Sequence, residues 1–126
     1  MVKGAIGVTE KIDICVLRPD EAPEIMTIDN TLKAMQEVVG GYIQVVNPWG
    51  GDVVIVCNEE GKLMNLPANR IVFDGTERIY DVIVGTFFLA FSPRGSENFM
   101  SLPRFFADRM QKYMMPASCN VEGGVE

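Results

Sequence analysis

Apolar and polar positions along the chain change period several times, and each change marks an element. Residues 12–17 alternate weakly and are rich in β-forming side chains, which predicts a first strand. Arg18-Pro19-Asp20 then turns the chain, because proline fixes φ and has no N–H to donate. Residues 24–28 return as a second strand and complete a hairpin. From Asn30 the period becomes helical. Asn30 is suited to cap a helix, and Leu32, Met35, Val38 and Val39 recur along one face of it. Gly40 and Gly41 end that helix, since glycine takes the left-handed conformation past a helix end. Residues 42–46 and 52–57 predict two more strands, joined by Asn47-Pro48-Trp49-Gly50-Gly51, a turn too long for a minimal hairpin. The unbroken apolar run 53–56 predicts a strand covered on both faces.

In the second half, residues 58–62 read as a polar turn and 63–70 as an irregular loop, with Pro67 discouraging regular pairing. Residues 71–73 predict a short strand. Residues 78–84 fit a helix or a strand equally, and Gly85 ends them. Residues 86–91, TFFLAF, predict a strand by β-branched and aromatic content, and 92–97 a loop. Ser101 is expected to cap a last helix with Pro103 in its first turn. On that helix Leu102, Phe105, Phe106, Met110, Tyr113 and Met114 form one broad apolar stripe, ended by Pro116. Residues 117–126 are expected to fray. The order of elements predicts an α+β fold, a mostly antiparallel sheet with two helices packed against it. It forms a single domain with its core at about residues 12–115. The stripe is wide for a two-layer domain, so a homo-oligomer is expected to cover the excess.

Composition narrows the chemistry. The net charge of −6 opposes non-specific binding to nucleic acid, which needs Lys and Arg against phosphate. The acids are scattered among arginines, which suits a solubilising surface better than a nucleic-acid mimic. No apolar run is long enough to cross a bilayer, and Glu10, Lys11 and Asp13 interrupt any signal-peptide core, so a cytoplasmic protein is expected. Cys15, Cys57 and Cys119 show no CxxC spacing and are expected to be reduced thiols that bind no metal. Histidine is absent, which removes Ser-His-Asp and Cys-His catalysis and most transition-metal sites. The expectation is a binding protein without catalytic residues, cofactor or metal.

Three places could hold a ligand. Trp49, between proline and two glycines, offers a stacking face beside backbone N–H groups that can hold an anion, or else folds back onto the sheet or a partner subunit. Asn65, Asn69 and Arg70 bring amides and a planar guanidinium into one stretch, suited to phosphate, carboxylate or ribose hydroxyls, or to satisfying the loop itself. Gly85-Thr86 permits close approach of a ligand or another backbone, and Tyr42 adds a second aromatic. Glu59, Glu60 and Asp74 are the weakest candidates. The glutamate pair would serve a carboxylate-based phosphodiesterase or lyase, but EEGK is also a common exposed turn.

Three segments carry a resemblance: IDNTLKAMQEVVGGYIQVV at 28–46, CNEEGKLMNLPANR at 57–70 and DVIVGTFFLAF at 81–91. Over residues 12–114 the chain resembles a small domain-of-unknown-function family carried by bacteriophages and mobile elements, mostly of Gram-positive bacteria. The NPWGG turn and the C-terminal segment are not features of that family's pattern, so a role for Trp49 rests on local chemistry. The resemblance implies a phage-type accessory protein that counters host defence by sequestering a small nucleotide-derived signal, of the cyclic nucleotide or cyclic ADP-ribose type. The expected ligand-binding residues are Tyr42, Trp49, Asn65, Asn69, Arg70 and Thr86. The alternative is a protein-binding inhibitor of a host defence or restriction protein, acting through the acidic surface or the apolar helix.

Overall fold

The computed structural model describes residues 10–94 and 96–118. It is an α+β fold with two antiparallel sheets, of five and three strands, and two helices. In chain order the elements are β1 (Lys11–Leu17), β2 (Glu24–Asp29), α1 (Leu32–Val39), β3 (Ile43–Val46), β4 (Val53–Asn58), β5 (Ala68–Phe73), β6 (Ile79–Val84), β7 (Phe87–Phe91), α2 (Arg104–Arg109) and β8 (Met114–Pro116). The larger sheet runs β2-β1-β7-β4-β3 and the smaller one β6-β5-β8.

Strict alternation in the three central strands builds two cores. Ile12, Ile14 and Val16 of β1, Val54 and Val56 of β4, and Phe88 and Ala90 of β7 face one way, where Met35 and Val39 of α1 cover them. Cys15, Leu17, Val53, Ile55, Cys57, Phe87 and Leu89 face the other way. There they meet Val72 and Ile83 of the smaller sheet, and Ala107, Met110 and Met114 of the C-terminal segment. The period of two along a strand sends odd and even residues to opposite faces, so a continuous apolar run serves both layers. Every residue of β4 is buried, as its run of valines and isoleucine predicts.

α1 is only eight residues long, too short to persist alone, and packing of its buried face holds it. Its cap is Thr31, whose Oγ1 accepts from Ala34 N at 3.1 Å, one residue later than the sequence predicts. Asn30 is occupied elsewhere, its Nδ2 donating to Phe99 O at 2.9 Å. Gly40 ends the helix with φ of 80°.

The second half departs most from expectation. The irregular stretch stops at Pro67, and Asn69 and Arg70 lie on β5. Residues 78–84 resolve as strand β6, paired with β5. The expected long last helix is a single short helix, α2, followed by a 3-10 turn (Met110–Tyr113) and then strand β8 paired with β5. Ser101 does not cap it. Its Oγ accepts from Asp13 N at 2.8 Å, while Leu102 N donates to Asp13 O at 2.9 Å, so this segment extends the sheet beside β1. Pro116 belongs to β8, where an edge position leaves its missing N–H without consequence. The apolar stripe is mostly core: Leu102, Met110 and Met114 are buried, Phe106 and Tyr113 pack against the same cluster, and only Phe105 is exposed. Ala117 is buried and Ser118 exposed, whereas the remainder of the expected fraying tail, residues 119–126 with Cys119, lies outside the described residues.

Candidate functional site

The six residues singled out from the sequence are distributed over several parts of the surface and do not form one pocket. Tyr42 is exposed just before β3, and its carbonyl accepts from Glu59 N at 2.8 Å. Asn65 is exposed in the loop before β5 with φ of 60°, a left-handed position that asparagine tolerates. Thr86 lines a shallow cleft with Leu66, Pro67 and Gly85. Gly85 has φ of 74°, and a Cβ there would sit 2.6 Å from Leu66 Cδ1. Its close approach is thus to the chain's own loop.

Asn69 and Arg70 are buried neighbours. The pairing of β5 with β6 shifts between Ala68 and Arg70, so Asn69 is the extra residue of a bulge and its side chain turns inward. Its Nδ2 donates to Leu17 O at 2.9 Å and to Gly85 O at 2.8 Å, which ties the end of β1 to the turn between β6 and β7. Its Oδ1 accepts from Arg70 Nη1 at 2.7 Å. Burial pulls the Arg70 pKa below its ordinary value, partly offset by the Asp20 charge. Both side chains therefore have a structural role in joining the sheets.

Trp49 does fold back. Its indole Nε1 donates to Phe73 O at 2.9 Å, linking the β3–β4 turn to the end of β5. The ring is half-buried and stays partly open on one side. There it forms a cleft of about 330 Å³ with Asp52, Phe106, Arg109, Met110 and Tyr113. The Trp49 and Tyr113 rings lie 6.0 Å apart at 40°, and Phe106 stacks on Phe91 at 5.8 Å. Arg109 is exposed at the mouth, with its guanidinium 5.7 Å from the Phe105 ring centre, and forms no salt bridge among the described residues. Gly51 and Gly75 complete the rim. The cleft combines aromatic faces, a free cation and glycine backbone, within the size range of small-molecule sites.

Sequence reading missed Phe106, Arg109 and Tyr113 as site residues. The helical spacing of Phe106 and Tyr113 was visible, but the meeting of all three with Trp49 depends on how α2 docks on the second sheet face. The weaker acidic candidates remain apart from this cleft. Glu59 and Glu60 are exposed in the turn after β4. Asp74 accepts from Thr76 N, Thr76 Oγ1 and Arg78 N, which depresses its pKa below the ordinary value and accounts for it as a hairpin fastener. No cluster of three or more potential metal ligands exists among the described residues. No helix there is long and apolar enough to cross a membrane.

No curated protein and no solved structure matches this chain. One family model does, over residues 12–115, nearly the span over which the sequence resemblance runs. The chain belongs to the family described as a domain of unknown function, DUF3846.

Proposed function

We propose that this DUF3846 chain is a non-catalytic binding protein that sequesters a small nucleotide-derived ligand. In the phage setting that the motifs suggest, that ligand is a cyclic nucleotide or cyclic ADP-ribose signal of host defence. The observation that carries the reading is the Trp49 cleft. A base would stack against the Trp49 and Tyr113 rings, and a phosphate would meet the Arg109 guanidinium. Arg109 takes the role that the sequence gave to Arg70. Binding without turnover fits the lining, where Asp52 is the one carboxylate and no nucleophile stands beside a base. The test is thermal denaturation against cyclic dinucleotides, cyclic oligonucleotides and cyclic ADP-ribose isomers, followed by recovery of the ligand. At 100 times its Kd a ligand adds about 2.7 kcal/mol, a shift of several degrees, and comes back intact. A product in place of the ligand would mean an enzyme.

One observation favours a second reading, a protein-binding inhibitor. Leu63 is 89% exposed, Ile79 65% and Tyr80 43%, and Leu63 shares a cleft with Asp81 of the same β6 strand. Exposed apolar side chains of this size beside an open sheet edge suit a protein partner. Capture of a single host polypeptide, lost in Leu63→Asp with Tyr80→Asp, together with no thermal shift across the nucleotide panel, would select this reading.

A further inference from the structure

On the opposite flank of the 3-10 turn from the Trp49 cleft, a second cleft of about 510 Å³ is floored by Arg70. Its other walls include Asp20, Glu21, Pro23, Gln111 and Met114. Arg70 is only 5% exposed, yet no carboxylate lies within salt-bridge distance of it among the described residues. Its hydrogen bonds go to neutral oxygens: Nη1 to Asn69 Oδ1 at 2.7 Å and, more weakly, to Asn69 O and Arg18 O at 3.4 Å, and Nη2 to Glu21 O at 2.7 Å. Carbonyl dipoles satisfy donors but supply no net charge, and Asp20, whose charge partly offsets the burial, forms no ion pair with Arg70. Nε and one Nη2 hydrogen have no partner among these residues. Arg70 lines the cleft itself, so part of its side chain is open to it. A guanidinium with donors to spare can hold a carboxylate or phosphate through charge-assisted hydrogen bonds.

We infer that this cleft is an anion-binding site in which Arg70 grips the carboxylate or phosphodiester of a small ligand carrying a single negative charge. Two features set that charge. Asp20 and Glu21 stand at the rim, so a multiply charged phosphate would meet two carboxylates on entry. Met114, Pro23 and Ala22 give apolar walls suited to the body of a monoanion. The site is independent of the Trp49 cleft, and either can fail alone.

The test follows the Arg70 Nε–H resonance in a ¹⁵N-labelled full-length chain titrated with benzoate, dimethyl phosphate and tripolyphosphate, with chloride matched for ionic strength. Benzoate or dimethyl phosphate moves the resonance saturably, tripolyphosphate binds more weakly, and chloride leaves it unmoved. The stronger of the two monoanions identifies the natural group as a carboxylate or a phosphodiester. Asp20→Asn keeps a residue suited to its φ of 61° and tightens binding several-fold by removing one rim charge. A resonance that none of the anions moves, in both the wild-type chain and D20N, would overturn the site and leave Arg70 as a fastener of the β1–β2 turn.

Discussion

The two faces of the five-stranded sheet are built from the same three strands and are closed in different ways. The α1 face is covered by one short helix whose Met35 and Val39 sit over aliphatic residues and Phe88. The other face is closed by parts that are distant in sequence: a three-stranded sheet, α2, a 3-10 turn and the indole of Trp49. Those parts meet at angles and leave the Trp49 and Arg70 clefts between them. Both faces supply core, and the second also carries these two clefts. The polar groups at the seams of the open face, Asn69 above all, hold its parts in register.

That contrast can be broken from either side. The largest effect is expected from Phe88→Ala, which empties a fully buried site on the α1 face and costs about 3–5 kcal/mol in denaturant unfolding. Where the variant remains folded, its ligand affinity is unchanged. Asn69→Ala comes next, at about 3 kcal/mol, because it strands Leu17 O, Gly85 O and an Arg70 donor in a buried seam. Unlike the Phe88 change, it also disturbs the Arg70 cleft. Thr31→Ala removes the α1 cap for about 1 kcal/mol and touches neither cleft.

The last effect is confined to alkaline pH and is absent at neutrality. Burial, with a further push from Asp108, raises the Cys15 thiol to about 11, above its ordinary 9.0, and Arg70 partly opposes this. The unfolded thiol ionises first. The stability due to Cys15 is therefore full below pH 9, declines as pH rises and is lost by about pH 11. Cys57 is shifted in the same direction. Unfolding curves between pH 8 and 11 should fall less steeply in Cys15→Ala than in the parent chain.

The α1 face was legible in the sequence and the open one only in part. Strands β1, β4 and β7 declare themselves by alternation and β-branched content, and Gly40 marks the end of α1 through its positive φ. The cap moved by one residue because Asn30 found a partner 69 residues on, at Phe99, which no local rule can foresee. Pro67 hid the start of β5, since a proline next to a bulge looks like loop. The C-terminal stripe suggested one helix because Phe106, Met110, Tyr113 and Met114 keep a helical period. The chain keeps that period through α2 and the 3-10 turn, then extends at Met114 to pair with β5. Trp49 was found by its unusual neighbours, but its partners Phe106, Arg109 and Tyr113 come from the far end of the chain and are brought to it by packing.

Trp49 is the only tryptophan in the chain, so its fluorescence reports on the central claim directly. The measurement is a titration of that emission with the nucleotide ligand of largest thermal shift, in the parent chain and in Arg109→Ala. The account predicts saturable quenching in the parent. In the variant, affinity falls roughly 10- to 100-fold, as expected for a lost charge-assisted contact, while stability changes by less than about 1 kcal/mol. Unchanged Trp49 emission at saturating ligand, or equal affinity in Arg109→Ala, would contradict it and place the ligand away from this cleft.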